Sequence, residues 1–398
     1  MKIIFCILFF TCVLSTSAKN LPSYTDSASV LLTSIPFTEL YGGIIIVRIQ
    51  IDQYPDSLNF IFDTGNSGIS LDSAVAAKLG FTTQTSDKII KGVTGNRKAV
   101  YSYNHFIHLA QLKVEHLHFH VLDYEQLSGV YGLSIDGIIG YSFFERYIIN
   151  INYDNHKIEV YQPGNFHYPR GGFYIQPEFS IFPINNLYIE DLQAMNLKTI
   201  FDIGAGLNLL LSTKYENQLW APSKISKKFE TQIEGLGGRK TVELKVLKKI
   251  KIGPYTFRKV PLHLFNDEND ILHYPTMGGI LGNDLLRRFN IILNYPEGKF
   301  YLVPNKNINE PFDYTYSGLS VAQDSKAITI VDIINDSPAA NASLQVGDQI
   351  FYIDGQFVNN VQQFNIFFRN TFRKVKLGII RGNVVIEKTL VLKDIRKK

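Results

Sequence analysis

The stretch FIFDTGNSGISL, residues Phe60–Leu71, returns later in the chain as TIFDIGAGLNLL, residues Thr199–Leu210. In each copy an apolar, strand-like run ends at an aspartate, Asp63 in the first and Asp202 in the second, and a glycine follows two residues later. The glycine allows the backbone to turn tightly behind the carboxylate, and a carboxylate at the end of an apolar strand is costly to ionise. Two such turns predict a pair of acidic side chains supplied by two copies of one folding unit.

The similarity between the two copies extends well beyond the aspartate turns. Each turn is followed by a glycine-bearing hairpin, KGVTGNRKAV at 91–100 and EGLGGRKTVEL at 234–244, and later by an apolar segment that ends in Gly140 or Gly282. The order and spacing agree over two lengths of chain about 140 residues apart, which indicates a domain-scale repeat. The predicted units are a signal peptide at 1–18, an N-terminal lobe at 19–165, a C-terminal lobe at 166–306 and a third, different unit at 311–398.

The short apolar segments of the sequence predict a mainly β fold. Short runs such as GIIIVRIQI at 43–51 and FNIILNY at 289–295 are rich in β-branched and aromatic residues and are bounded by turn formers. Helices are expected to be few and short. The segment DSAVAAKLG at 72–80 has polar residues that can cap the start of one helix and Gly80 placed to end it, and Ser337 with Pro338 is placed to begin another.

The first 18 residues, MKIIFCILFFTCVLSTSA, have the pattern of a secretory signal, with Lys2, an apolar run at 3–14 and small residues before a cleavage after Ala18. The alternative, a membrane anchor, is disfavoured because the apolar run is too short to span a bilayer. Both cysteines, Cys6 and Cys12, lie in this segment, so the cleaved chain has no disulfide. We expect an exported protein, periplasmic or extracellular if the source is a Gram-negative bacterium.

The charge of the chain is nearly balanced, with 40 Lys and Arg against 36 Asp and Glu in 398 residues, a net charge of +4. No basic block is dense enough to follow a phosphate backbone, which argues against nucleic acid as a partner. No segment after the signal is long and apolar enough to cross a membrane. We expect a monomer, because one chain supplies both aspartate turns.

The sequence DTGNS at 63–67, with the apolar-apolar-Gly segments that end at Gly140 and Gly282, resembles the pepsin/retropepsin superfamily of aspartic proteases. The resemblance covers both copies and implies a bilobal pair of β-barrels with Asp63 and Asp202 as the catalytic pair at the lobe interface. Two carboxylates about 3 Å apart cannot both ionise, so they share a proton and serve as base and acid together. The resemblance therefore implies an aspartic endopeptidase that acts on polypeptide substrates without a metal or organic cofactor.

The same resemblance implies roles for residues around the aspartates. Hydroxyl groups next to the aspartates brace the pair and bond the first carboxylate, and glycine-rich hairpins act as flaps that close over the substrate and exclude water. The implied supporting residues are Thr64, Gly65, Ser67 and Gly204. The implied flap residues are Gly92, Gly95, Gly235 and Gly237.

The third unit resembles a PDZ domain of the bacterial, circularly permuted kind. The sequence SPAANASLQVGDQIFYIDG at 337–355 matches the family pattern, and SGLSV at 317–321 lies where the carboxylate-binding loop is expected. Such a loop captures a peptide C-terminus, and the strand after it accepts the peptide as an added strand. The domain would recruit substrate C-termini or regulate access to the cleft; the alternative is that it packs on the protease and binds nothing. The implied peptide-binding residues are Gly318, Leu319, Ser320, Val321, Val361 and Phe364.

The second copy departs from the family pattern beside its aspartate. The positions of Thr64 and Ser67 are occupied there by Ile203 and Gly206, whose side chains cannot form a hydrogen bond. A missing neutral hydrogen bond is worth about 1 kcal/mol, so we predict an active but asymmetric pair. One alternative is a non-catalytic peptide-binding protein with a degenerate protease scaffold and a binding PDZ domain. Another is a dimer in which only one aspartate of each chain matters.

A group of histidines offers a possible metal site. His116, His118 and His120 alternate along a predicted strand and so share one face. The corresponding hairpin of the second copy, at 256–260, carries no set of metal ligands. We therefore interpret the histidines as a solvated strand face and predict no metal.

Overall fold

The structure of the chain is a computed structural model. It describes residues 4–5, 27–179, 181–219, 229–235, 237–268, 272, 277–324 and 327–397. The predicted signal peptide lies outside the described residues except for 4–5, so its cleavage stays a prediction. No helix in the described part of the chain is long and apolar enough to cross a membrane.

The first lobe is built mainly from strands, as the sequence predicts. Most of them form an eight-stranded sheet in which β5 lies beside β10 in parallel. The strands are β1 (Ile4–Phe5), β2 (Leu31–Pro36), β3 (Thr38–Glu39), β4 (Ile45–Ile51), β5 (Leu58–Phe62), β6 (Ile69–Asp72), β7 (Gln84–Gly92), β8 (Gly95–Leu109), β9 (Leu112–Leu122), β10 (Gly137–Ile139), β11 (Ile148–Asn152) and β12 (Lys157–Tyr161). The helices are α1 (Ser73–Lys78), α2 (Glu125–Tyr131) and α3 (Tyr141–Phe144), with a 3₁₀ turn at Tyr41–Gly43.

The second lobe repeats this plan. Its main sheet has nine strands, including β1 at one edge, and β16 lies beside β21 in parallel as β5 does beside β10. The strands are β13 (Phe173–Ile175), β14 (Glu178–Phe179), β15 (Pro183–Glu190), β16 (Ala194–Asp202), β17 (Leu209–Ser212), β18 (Phe229–Gly235), β19 (Gly238–Ile252), β20 (Tyr255–Phe265), β21 (Gly279–Gly282), β22 (Phe289–Asn294) and β23 (Lys299–Pro304). The helices are α4 (Glu216–Leu219) and α5 (Asn283–Leu286), with a 3₁₀ turn at Thr213–Tyr215.

A six-stranded sheet joins the two lobes. Its order is β13-β23-β22-β11-β12-β2, so each lobe contributes three strands and the antiparallel pair β11–β22 lies at the centre. Apolar residues of both lobes form one buried cluster. The two copies are therefore packed as one body across an approximate twofold arrangement of strands.

The third unit is a separate sheet with two helices. The sheet has the order β25-β26-β27-β29-β30, with β28 beside β27, and β24 pairs with β31 where the chain enters and leaves the unit. Ser337 caps α6 as predicted, because its hydroxyl accepts from Ala340 N at 3.2 Å. The strands are β24 (Thr315–Tyr316), β25 (Leu319–Gln323), β26 (Ile328–Ile333), β27 (Gln349–Ile353), β28 (Gln356–Phe357), β29 (Lys374–Arg381), β30 (Val384–Val391) and β31 (Lys393–Asp394), and the helices are α6 (Pro338–Asn341) and α7 (Val361–Phe368).

The histidines of β9 do not form the uniform solvated face that their spacing predicts. His116 and His118 are exposed, but His120 is buried. The ring of His120 packs against Tyr101 and lies close to Gly68, and burial lowers its pKa to about 4. In the described residues no three His, Cys, Asp or Glu side chains are grouped so that they could hold a metal ion.

Candidate active site

The two aspartate turns occupy equivalent places in the two lobes. Asp63 directly follows β5, and Asp202 is the last residue of β16. Behind each turn the chain passes very close to a glycine: a Cβ on Gly140 would lie 2.2 Å from Asn66 O, and one on Gly282 would lie 2.3 Å from Leu207 O. A side chain at either glycine would push the turn out of place. The apolar-apolar-Gly segments thus position the aspartate turns through close backbone contact.

The two carboxyl groups are brought together and are completely buried. Asp63 Oδ1 accepts from Gly65 N at 2.7 Å, and Asp202 Oδ1 accepts from Gly204 N at 2.8 Å. Each glycine also lies against the opposite aspartate. A Cβ on Gly65 would be 2.4 Å from Asp202 Oδ2, and one on Gly204 would be 2.1 Å from Asp63 Cγ. Only glycine leaves enough room for the two carboxyl groups to meet.

The electrostatics of this pair favour a shared proton. Burial raises the pKa of both carboxyl groups, and the charge of Asp202 raises the pKa of Asp63 further. Asp63 Oδ2 and Asp202 Oδ2 are both buried and have no hydrogen-bond donor in the described part of the chain. A buried pair of this kind holds one proton between its members, since ionising both would place two like charges side by side in a buried site.

The hydroxyl brace of the pair is one-sided, as the sequence predicts. Thr64 Oγ1 donates to Phe201 O at 2.6 Å and accepts from Ile203 N at 3.1 Å, so the first copy reaches across to the backbone of the second. The side chain of Ile203 cannot form the corresponding hydrogen bond to the first copy and is instead buried in the apolar cluster shared by the lobes. The brace survives the change from Thr to Ile because it uses the backbone of residue 203.

The predicted bond between Ser67 and the first carboxylate is not formed in this structure. Ser67 Oγ is buried and has no hydrogen-bond partner in the described part of the chain. Asp63 already accepts from Gly65 N and faces Asp202. A supporting role of Ser67 therefore stays a prediction.

The two glycine-rich hairpins meet each other at their tips. Thr94 Oγ1, between β7 and β8, accepts from Gly237 N at 2.9 Å. Val93, beside it, is buried in a cluster of second-lobe residues that includes Ala205 and Leu207 from the second aspartate turn. The first flap therefore reaches across the interface and covers that turn. The predicted flap glycines Gly92, Gly95, Gly235 and Gly237 all lie at these tips.

The sequence did not indicate Tyr124 as part of this region. Its backbone N donates to Asp72 Oδ2 at 2.9 Å, and its hydroxyl donates to Ser70 Oγ at 2.6 Å. Burial raises the pKa of Tyr124, and the charge of Asp63 adds to this effect. Tyr124 thus supports the strand that follows the first aspartate turn. Nothing in the local pattern reveals this role, because it depends on how the chain after β9 packs back onto β6.

The predicted peptide-binding residues of the third unit are also brought together. Gly318 has a φ of 71°, and a Cβ there would lie 2.1 Å from Ser337 Cβ, so only glycine fits this loop. Strand β25 follows and is an edge strand of its sheet. Ser320 is buried on this strand. The remaining four residues share one buried cluster in which β25 packs against α7: Leu319, Val321, Val361 and Phe364.

Comparison with known families agrees with this geometry. Residues 47–143 match the family described as aspartyl protease, and residues 316–392 match the family described as PDZ domain. The second copy of the repeat lies outside the first match. No curated protein is significantly similar in sequence to the chain. The chain thus contains an aspartyl protease domain and a C-terminal PDZ domain, and the predicted mainly β fold is confirmed.

Proposed function

From a chain that combines an aspartyl protease domain with a PDZ domain, we propose an exported aspartic endopeptidase in which Asp63 and Asp202 act as the catalytic pair. The observation that supports this most strongly is the close approach of the two turns, in which Gly65 and Gly204 each lie against the opposite carboxyl group. A structural role alone gives no reason to bury two carboxyl groups side by side, because burial of a carboxylate is costly.

The proposed reaction uses the proton that the pair shares. The ionised carboxylate takes a proton from a water molecule, and the resulting hydroxide attacks the carbonyl carbon of the scissile peptide bond. The protonated carboxyl group gives its proton to the carbonyl oxygen, which produces a neutral tetrahedral diol. The carboxyl group that received the water proton then gives it to the amide nitrogen, while the other, now ionised, carboxylate takes a proton from a diol hydroxyl. The C–N bond breaks, an amine and a carboxylic acid are released, and the pair again shares one proton. The flaps hold the peptide extended and exclude bulk water.

Cleavage of an unfolded protein tests this proposal. Reduced and alkylated casein is incubated with the wild type, Asp63→Asn and Asp202→Asn from acid to neutral pH, and fragments are measured by mass spectrometry. We expect both variants to lose at least about 1000-fold in rate, since each removes an acid-base group. The matched control is Asp56→Asn, an aspartate at an exposed site, which should cleave as the wild type does.

Two other results would redirect the proposal. Equal background cleavage in all forms would leave a peptide-binding protein on a protease scaffold. Loss in one Asn variant alone, with activity that depends on protein concentration, would indicate a dimer that uses one aspartate per chain. Export is tested separately by sequencing the N-terminus of the secreted chain, which should begin at Lys19.

A further inference from the structure

The peptide groove of the PDZ domain faces the protease. A PDZ groove lies between an edge strand and a helix, here β25 and α7, and a peptide joins the strand edge. Helix α2 of the first lobe lies against both elements. A Cβ on Gly129 would lie 3.4 Å from Ala322 Cβ and 3.5 Å from Gln323 O. At this part of the edge α2 occupies the space that a bound peptide would need.

Apolar packing and hydrogen bonds hold α2 in this position. Val130 is 3% exposed and belongs to the same buried cluster as Val361 of α7. Gln362, also on α7, donates through Nε2 to Tyr131 O at 3.0 Å and accepts through Oε1 from Tyr41 N at 2.8 Å. A single PDZ side chain therefore bonds two segments of the first lobe.

The PDZ domain is bonded to the second flap at the same time. Gln232 Nε2 of β18 donates to Asp332 Oδ2 at 3.0 Å, and Arg239 Nη1 of β19 donates to Val331 O at 3.2 Å. Both acceptors belong to β26, the strand that pairs with β25. A displacement of the PDZ domain from α2 would therefore also strain or break its bonds to the second flap.

The three parts border one cavity of about 1170 Å³. Its lining includes Gly129 of α2, Gly235 and Arg239 of the second flap, and Ala322 and Thr329 of the PDZ domain. Beside the packed contact of Val130, part of the border between the three parts is therefore open space and not packed core. The junction is thus suited to opening as a unit.

We propose that the PDZ domain is a latch released by a peptide: α2 occupies the groove in the closed state, and a polypeptide with a free, apolar C-terminus displaces α2 and frees the second flap. The effect on access to Asp63 and Asp202 rests on the proposed protease function, whereas the displacement itself requires no catalysis. A length requirement follows. An extended chain rises about 3.3 Å per residue, so a peptide whose carboxylate lies at Gly318 reaches Gln323 only with about its fifth residue.

The test uses one variant that locks the latch and one that loosens it. Gly129→Cys with Ala322→Cys places two Cβ atoms at a distance a disulfide can bridge. This pair is made with Cys6→Ser and Cys12→Ser, so that no other cysteine is present. Val130→Ser removes the apolar contact of α2 with the groove. All forms carry Asp202→Asn, so that the probes are not cleaved and the result does not depend on activity.

The probes are fluorescein-labelled peptides of three and eight residues that end in Val with a free carboxylate, with an amidated eight-residue peptide as control. Fluorescence anisotropy gives the affinity, and hydrogen exchange of residues 229–235 and 237–252 reports on the second flap. We expect the free eight-residue peptide to bind Val130→Ser at least tenfold more tightly than the parent. We expect binding at least tenfold weaker in the oxidised cysteine pair, with recovery on reduction. Binding of the free eight-residue peptide should also speed hydrogen exchange in the second flap, whereas the three-residue peptide should leave that exchange unchanged.

Each contrary result overturns the latch. Equal affinity in the locked and reduced forms means that α2 does not compete for the groove. Binding without faster hydrogen exchange in the second flap would show that the groove and the flap are not coupled. Failure of every form to bind the free eight-residue peptide would show that such a peptide is not the ligand of the groove. An inactive protease that still shows the expected binding and exchange would sink the proposed function and leave the latch intact.

Discussion

At the scale of single residues, the brace of Thr64 ties the first aspartate turn to the backbone of the second. Its hydroxyl satisfies both a buried C=O of Phe201 and a buried N–H of Ile203. Thr64→Val keeps the shape but leaves both backbone groups without this partner, at about 1–3 kcal/mol for each. We expect the free energy of unfolding to fall by about 2–6 kcal/mol, measured by chemical denaturation, with a loss of cleavage.

Thr199→Val is the matched control for this change. Thr199 is equally buried, but its hydroxyl makes a single long bond of 3.4 Å to Asn185 O. Its loss should cost no more than about 1 kcal/mol. Equal effects of the two substitutions would show that Thr64 is an ordinary buried threonine.

The raised pKa values of the pair predict how stability depends on pH. A carboxyl group whose pKa is higher in the folded state favours folding fully below its unfolded pKa, and this contribution is lost as the pH rises through the folded value. Asp202→Asn removes the charge, so the variant should gain stability over the wild type as the pH rises from about 4 to about 8. Each unit of pKa shift corresponds to about 1.4 kcal/mol. Thermal melts across this range check the sign, and Asp56→Asn, which lies outside the pair, should show no such trend.

Much of the candidate site could be predicted from residues that occur twice. Asp63 and Asp202 stood out because the turn is repeated, and the repeat predicted that the carboxyl groups meet. The missing bond of Ser67 and the contribution of Tyr124 could not be predicted, because each depends on the direction of a side chain. Those directions are fixed by packing between segments far apart in sequence.

At the scale of elements, the contact between the flap tips is the feature open to a simple test. Thr94→Ala removes the hydroxyl that accepts from Gly237 N, and Thr94→Ser keeps it. One neutral hydrogen bond is worth about 1 kcal/mol, so kcat/KM for casein should fall about fivefold in the Ala variant. The Ser variant should stay near the wild type. A matching loss in Ser would trace the effect to the methyl group and not to the bond between the flaps.

The elements differ in how well the sequence indicated them. Helices α1 and α6 were predicted from their caps, and Asp72 Oδ1 indeed accepts from Ala74 N at 2.9 Å. Helix α2 was not predicted, since it has no side-chain cap and contains Gly129. Its position depends on packing against the PDZ domain, which no local pattern can show.

At the scale of the whole molecule, the repeat predicted two lobes but not how the third unit is attached to them. A compact network of charges lies at this junction. Arg287 of the second lobe is 2.6 Å from Glu310 Oε2, 3.2 Å from Asp284 Oδ1 and 3.6 Å from Glu39 Oε1 of the first lobe. Arg369 of the PDZ domain pairs with Glu310 at 2.6 Å. These residues are scattered along the sequence, so their meeting could not be anticipated from charge patterning.

Arg287→Met should destabilise the molecule most where these carboxylates are ionised. Removing one partner of a buried ion pair costs about 3–5 kcal/mol, and the Arg287 side chain is 7% exposed. Burial raises the pKa of Glu39 and Arg287 lowers it, so the variant should raise that pKa further. A raised folded pKa makes stability fall as the pH rises, so the deficit in melting temperature should shrink from about pH 8 to about pH 5.

Arg369→Met, at a more exposed site with one carboxylate partner, should cost no more than about 1 kcal/mol. A deficit of Arg287→Met that is the same at both pH values would show that Arg287 contributes by packing and not by neutralising the carboxylates between the three units.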